Sequence, residues 1–588
     1  MNRPGPVAPG QPRDAATRRE RRWALAVSAC VMALTMVPYL YGLTLQGSAP
    51  GRDRFSWLGN NLSDGCVYLS WMRQAADGSF FQRNLFTTEP QAGRQVNVFF
   101  LLLGNISRVT GLPLLFTFHA ARLAAGVALL RCVWWMLESL LADRRARRAS
   151  LLLVGLSAGI GWVPGLWRRS GIESPVDVWQ PEAVTFLALY LNPLFIASLI
   201  LMLGALGWLW RAERSGRMRH AVYAGLCGLV LGNIHTYDVI TVGLVWGATL
   251  LVQAAARRRW DWSPWVRAAI AGAVASPSVA YTITLHQTEG VFAKRVAVPT
   301  LSSSPGWLLA GFGLVLVLAL VTACLLFMNR LPSAAGGSES REAVRFLVVW
   351  ALVNAAASYL PVAFQRKMLM GAQIPLAILA GTALWILLRR LRGPTWALAL
   401  GVAVLLLIPS NLRFMAADME YFHRNWDRSL PQRPFMHAGE VAALDWLRRN
   451  TPPGVPVQPL PWIGVTADGK AAFFDVTAAC FAPGLTGRPV HAGHWGETPR
   501  FKDAMSDWAN FLHPMTTPEW RREFLRRTGV RFVILTRSLP DESAGPAAAS
   551  VLVPFSEDNP PPYLRPVPEA SSPGIEVYEV SEQAGRDR

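Results

Sequence analysis

Charge is scarce in this chain. Only 16% of its residues are Asp, Glu, Lys or Arg, against roughly 25% in an ordinary soluble domain. Lysine is nearly missing: Lys294, Lys367, Lys470 and Lys502 are the four among 57 basic residues. Six cysteines in 588 residues, with no C-x-x-C and no tight cluster, exclude a disulfide scaffold and a zinc-ribbon pattern. No G-x-G-x-x-G opens a helix and no Walker A run occurs, so nothing points to a bound nucleotide. An internal repeat is also missing. Apolar side chains are plentiful, at 52% hydrophobic with 26 Phe and 24 Trp. That excludes a disordered chain and argues against a soluble enzyme.

The net charge of +19 would suit nucleic acid if the basic residues formed one patch. They do not. They cluster at Arg18/Arg19/Arg21/Arg22, Arg144/Arg145/Arg147/Arg148, Arg211/Arg214/Arg217/Arg219, Arg257/Arg258/Arg259 and Arg389/Arg390/Arg392. Between and beyond these lie eleven apolar runs long enough to cross a membrane, which takes about 20 residues. They are 23–45, 114–141, 149–167, 183–210, 221–237, 238–256, 265–286, 306–328, 346–363, 371–388 and 394–411. The runs 221–237 and 238–256 are divided only by Asn233-Ile-His-Thr-Tyr-Asp238. With eleven spans every arginine cluster falls on one face, which the positive-inside rule makes the cytoplasm. The basic excess is then an orientation signal, and no nucleic-acid partner is expected.

This gives an α-helical polytopic membrane protein of about 11 transmembrane helices with a C-terminal extracytoplasmic α/β domain. Residues 1–22 form a cytoplasmic tail, polar and without a cleavage site, so 23–45 reads as a retained signal anchor. The transmembrane domain is 23–411, with 46–113 as a first external loop carrying amphipathic helices. From 412 to 588 charges return and apolar runs shorten. Helical patterns at 438–450 and 501–512 accompany β-like runs at Val530–Thr536 and Ile575–Val580, with linkers expected at 329–345 and 540–573.

The first external loop is the most informative stretch. After Asp64, apolar residues fall at Tyr68, Trp71, Met72 and Ala75, the spacing of one helix face, suited to lying in a membrane interface. Ser63 or Asp64 could cap this helix; a fixed carboxylate there could equally serve as general base for a hydroxyl acceptor. His235 and Asp238 break an apolar run, where polar groups face a cavity or bond another helix. Arg366 and Lys367 fall in an external turn between spans, where they could hold phosphate or snorkel to lipid headgroups. Lys294 and Arg295 are further candidates for that role. Glu89 and Glu182 are additional carboxylates at the outer surface. Arg131 and Glu138, seven apart in one span, suggest a pair holding the bundle together. His491, His494 and Glu497 do not have H-E-x-x-H spacing, and the Gly493 and Pro499 surroundings suggest a loop.

A first span followed by a long external loop, an acidic residue and an aromatic-bearing helix resembles integral-membrane glycosyltransferases of the GT-C fold. These include protein O-mannosyltransferases and bacterial lipid A aminoarabinose transferases. Asp64-Gly-Cys-Val-Tyr68 looks like their acidic motif. Asn84-Leu-Phe-Thr-Thr-Glu-Pro90, Trp179-Gln-Pro-Glu182, His235-Thr-Tyr-Asp238, Phe364-Gln-Arg-Lys367 before Ile374-Pro375, and Gly493-His-Trp-Gly-Glu-Thr-Pro499 also resemble theirs. Many members carry two adjacent acids or D-x-D; here Gly65 follows Asp64. The resemblance implies an inverting glycosyltransferase of the bacterial inner membrane. Its donor would be a polyprenyl-phosphate sugar, and its acceptor a lipid, glycan or protein on the extracytoplasmic face. Asp64, with Glu89 behind it, would be catalytic. Tyr68, Glu182, His235, Asp238, Arg366 and Lys367 would bind substrate. Membrane lipids are the other partner, and a divalent metal is an open option rather than an implied cofactor. The alternatives are a transporter or flippase of lipid-linked sugars, or a non-catalytic membrane scaffold of the same fold.

Overall fold

The computed structural model describes residues 12–48, 53–167, 171–296, 298–332, 338–426, 434–461, 463–465, 471–473, 477–513, 515–536 and 560–581. The chain forms two compact units. The first comprises Met1–Met36, Ala121–Val279 and Thr300–Met415; the second comprises Val37–Ala120, Ala280–Pro299 and Ala416–Arg588.

Seven described helices are long and apolar enough to cross a membrane: Thr17–Gly47, Leu114–Leu140, Pro193–Ser215, Tyr237–Arg257, Trp262–Thr288, Pro305–Phe327 and Gln365–Leu388. An eighth arises if Gly393–Leu407 and Pro409–Asn425, bent by 52°, form one span. The chain is thus a polytopic helical membrane protein. Some expected runs are shorter or broken. The helix in 149–167 ends at Leu156. The 183–210 run is cut at Asn192, whose side chain caps the helix Pro193–Ser215 by accepting from Leu194 N at 2.9 Å; Pro193 at the first position has no N–H to lose. The run 221–256 is two helices, Met218–Ile234 and Tyr237–Arg257.

In the first unit the helix Gln373–Leu388 is buried from Gln373 to Trp385 and packs on Arg144–Leu156 and Pro305–Phe327. Gly381 makes one crossing possible, since a Cβ there would sit 2.5 Å from Ser150 N. Arg131 and Glu138 do not pair, because two helical turns separate them by more than ion-pair reach. Instead Glu138 accepts from Arg21 and Trp134, and Arg131 donates to the Arg21 carbonyl.

In the second unit the helix Leu62–Ala76 packs on Val98–Thr110 and Ala478–Thr486. A Cβ on Gly104 would lie 2.4 Å from Met72 O, so glycine permits that approach. The expected apolar face is present, but protein covers it: Tyr68, Trp71, Met72 and Ala75 are all buried, and Tyr68 stacks on Phe100 at 4.8 Å. Burying these rings against Phe100 removes more apolar surface from water than an interfacial position would.

The later part of this unit carries a sheet in the order Val457–Pro459, Phe532–Thr536, Ile575–Val580, Leu564–Pro566. The first pair is parallel and the other two antiparallel. Helices Ala438–Asn450 and Phe501–Leu512 stand where the periodicity expects them. Of the expected 540–573 loop, residues 540–559 lie outside the described ones, and Leu564–Pro566 is strand. In the 329–345 linker, 333–337 likewise lie outside and a helix begins at Ser338.

Trp508, Phe511 and Phe524 anchor the apolar cluster beneath. His491 lies against it and accepts from Trp508 Nε1 through Nδ1 at 3.1 Å. Burial, aided by Arg527, pushes His491 down to about 4. The unfolded chain therefore binds the proton more readily, and stability falls as pH drops from about 6.5 toward 4. The expected loss is on the order of 2–3 kcal/mol. His491→Phe should flatten that dependence in a pH series of thermal unfolding followed by tryptophan fluorescence; an unchanged slope would refute the assignment.

Candidate functional site

In the first unit, five of the expected residues come together in two linked groups. Glu182 is 2% exposed, and its Oε1 accepts from Lys367 Nζ at 2.9 Å and from Arg366 Nε at 3.3 Å. Arg366 lies over the Trp179 ring at 5.2 Å, and Lys367 Nζ is 5.6 Å from the centre of Phe195. The same Phe195 ring meets His235 edge-on at 5.7 Å. His235 Nδ1 is 2.9 Å from Asp238 Oδ2, which also accepts from Ser198 Oγ. His235 Nδ1 and Asp238 Oδ1 nonetheless make no hydrogen bond among the described residues, so the break holds polar groups that a cavity or a ligand could meet.

The turn carrying both cations, Gln365–Leu369, is pinned at each end. Thr300 N donates to Ala363 O at 2.6 Å and its carbonyl accepts from Arg366 N at 3.0 Å. Beyond it, Asn354 Nδ2 donates to Met368 O and Met370 O at 2.7 and 3.2 Å. Gly371 follows with φ of +75°, and its N–H reaches the Glu182 carbonyl at 3.2 Å. Only glycine adopts that backbone freely.

Burial alone would raise the Glu182 carboxyl, but the charges of Lys367 and Arg366 and the Lys367 hydrogen bond more than offset it, holding the group at about 2. Glu182 is therefore ionised, and two cations against one carboxylate leave the group net positive. The terminal Arg366 nitrogens donate to none of the described residues. A phosphate could take them bidentately.

The same unit holds an acid the sequence reading passed over. Asp177 Oδ2 accepts from Gly159 N and Gly161 N at 3.0 and 3.1 Å. Burial pushes Asp177 up to about 6 against these bonds and one from Ser410. An acid between Val176 and Val178 in the apolar surroundings of Trp179-Gln-Pro was its available signal.

The second unit holds Asp64, Tyr68 and Glu89. The helix Leu62–Ala76 starts from Asn61 in the left-handed region, without a side-chain cap. Ser63 and Asp64 therefore do not cap it; Asp64 lies in the first turn, where the helix dipole favours a carboxylate. Position 65 cannot bear a second acid without displacing Leu58, whose Cδ2 would be 2.9 Å from a new Cβ. Beside Asp64 stands His494, which is 2% exposed. Its Nε2 is 3.7 Å from Asp64 Oδ1, and the Asp64 side chain is 34% exposed. His494 Nδ1 accepts from the backbone N–H of Gly496 and of Glu497, both at 3.0 Å.

The His494 loop is laced to the first-loop motif. Asn84 Nδ2 donates to Glu497 O at 2.8 Å, Thr498 Oγ1 donates to Phe86 O at 2.8 Å, and Val490 N donates to Leu85 O at 2.8 Å. Asn84-Leu-Phe and Gly493–Pro499, distant in sequence, thus build one surface. Glu89 is engaged by Lys294, Nζ to Oε2 at 2.7 Å, which occupies both residues at the surface. The Arg295 side chain lies outside the described ones. Among the described residues no three His, Cys, Asp or Glu side chains converge on a common point, and Nδ1 of His494 is already taken. These donors do not fit a divalent cation.

No family model matches the chain, and no curated protein matches it. Among solved structures, the arabinofuranosyltransferase AftD from Mycobacteria is similar over 95% of this chain, with a TM-score of 0.51 and 17% identity. The chain spans 42% of the length of that protein. The oligosaccharyltransferase of Archaeoglobus fulgidus, crystallised with a tethered acceptor peptide, is matched over 86% of this chain and 68% of its own, with a TM-score of 0.46 and 14% identity. The likeness to AftD is one of fold.

Proposed function

We propose that this protein transfers a sugar from a polyprenyl-phosphate donor to an acceptor on the extracytoplasmic face of a bacterial inner membrane. The N-terminus is cytoplasmic and residues 412–588 are extracytoplasmic. The carrying observation is Asp64: a partly exposed carboxylate, fixed in the first turn of a buried helix beside a buried imidazole. Such a group can take a proton from an attacking nucleophile. Fold likeness to AftD supports the class, and the absence of a nucleotide motif agrees with a lipid carrier.

The reaction is a single displacement with inversion. The acceptor oxygen attacks the anomeric carbon and its proton passes to Asp64. The bond from that carbon to the phosphate oxygen breaks, and the phosphate departs with the electron pair. Within its own unit, the net-positive group of Arg366 and Lys367 is suited to a phosphate, with Glu182 holding both in place and His235 and Asp238 supporting them through Phe195. Glu89 stands as a second carboxylate, tied to Lys294.

Arg366→Ala tests the donor assignment. Losing a charged hydrogen bond to phosphate should raise the donor KM by about 10- to 100-fold, with a smaller change in kcat. An unchanged KM would remove Arg366 from the donor site. Labelled sugar-lipid that crosses reconstituted vesicles without being consumed would favour the transporter reading instead.

A further inference from the structure

Nε2 of His494 has no hydrogen-bond partner among the described residues, although the ring is buried. An unmet buried donor costs about 1–3 kcal/mol, so it calls for an explanation. Nδ1 accepts two backbone N–H groups, so the hydrogen of the neutral ring lies on Nε2. That N–H faces Asp64 Oδ1 across 3.7 Å, which is too long for a hydrogen bond. Donor and carboxylate stand side by side, at a spacing one oxygen atom can bridge. Trp495 extends from the same loop, 40% exposed, with its ring stacked 5.9 Å from the imidazole.

We infer that His494 is a catalytic residue that receives the attacking oxygen, and that the acceptor is a sugar hydroxyl. The inference rests on the reading of Asp64 as the base. A hydroxyl donates its hydrogen to Asp64 while its oxygen accepts from Nε2–H. As the proton moves to Asp64 and the oxygen bonds to the anomeric carbon, Nε2–H holds that oxygen in line through one lone pair, leaves the other free to attack, and keeps its own hydrogen. A carboxamide nitrogen is disfavoured, because its N–H groups would meet Nε2–H donor to donor. Trp495 supplies an apolar face on which the C–H side of a sugar ring can rest, which selects a glycan over a serine or threonine side chain.

The test uses the full chain in nanodiscs with labelled polyprenyl-phosphate pentoses and hexoses. The acceptors are octyl glycosides, a serine peptide and an asparagine peptide. Transfer to octyl glycosides is expected. His494→Ala should lower kcat by about 10²-fold through misplacement of the attacking oxygen, with donor KM unchanged, and His494→Gln, which keeps an N–H donor, should recover most of that loss. Release of free sugar to water reads the same pair of variants, since water is also an oxygen nucleophile. A product on the asparagine amide, or a His494→Ala rate within about threefold of wild type, overturns the role of His494. A product on the serine peptide alone overturns the sugar assignment. If wild type consumes no donor, the proposed function fails separately. The site is then judged by ¹⁵N spectra of labelled histidine, with His494→Gln identifying the signal. A hydrogen on Nε2 whose resonance shifts in Asp64→Asn sustains the arrangement; a hydrogen on Nδ1, or no shift, overturns it.

Discussion

Asp64→Asn is expected to lower kcat by about 10²- to 10⁴-fold, the range a positioned general base supplies. The donor KM should stay within about threefold of wild type, because the change removes an interaction made in the transition state. Asparagine matches aspartate in shape, and the helix start does not depend on the carboxylate: Asn61 begins it without any side-chain cap. The packing of Tyr68, Trp71 and Met72 on the next helix should therefore persist, and thermal unfolding should move little. Initial rates across a donor series, with an unfolding curve for each protein, separate the outcomes. Full activity would dismiss Asp64 as the base; collapse of the fold with activity would leave the residue structural.

The second large effect concerns Glu182. Its carboxylate is buried between Arg366 and Lys367, so Glu182→Gln leaves two partly buried cations without their counter-charge. Removing one partner of such a group costs about 3 kcal/mol. The pH dependence follows from the depressed pKa. Because the folded carboxyl sits at about 2 against an ordinary 4.5, its contribution is complete above about pH 4.5 and is lost as pH falls toward 2. Wild type should thus lose stability across that window and Glu182→Gln should not. Arg366 and Lys367 should also lose their fixed spacing in the variant, weakening donor binding alongside stability. Denaturation in detergent at pH 3 and pH 6 checks both points; parallel losses in the two proteins would contradict them.

Much of this was legible in the chain itself. The arginine clusters and apolar runs point to a polytopic helical protein because bilayer thickness fixes helix length. The tail helices Ala438–Asn450 and Phe501–Leu512 follow from local periodicity. Glu182, Arg366 and Lys367 were each visible as charges at the edges of apolar runs, but not as one ion group: 184 residues separate Glu182 from Arg366, and no local pattern encodes a contact of that range. The breaks at Asn192 and after Leu156 were hidden because apolar composition continues through both. Tyr68 and Trp71 fell on the expected helix face, yet periodicity cannot distinguish a lipid surface from Phe100. Gly65 looked like a missing acid until Leu58 proved to fill the space beside it. His494 was hardest to read, since its tautomer depends on two backbone N–H groups in an irregular loop.

The proposed activity is glycosyl transfer from a lipid phosphate with Asp64 as base. Its most direct measurement offers purified full-length protein a radiolabelled polyprenyl-phosphate sugar and follows release of the polyprenyl phosphate, wild type beside Asp64→Asn. Wild type should release it while the label moves into an inverted glycosidic product, and the variant should do neither at a measurable rate. Equal release by both proteins, or label that stays on the lipid in wild type, would contradict the account.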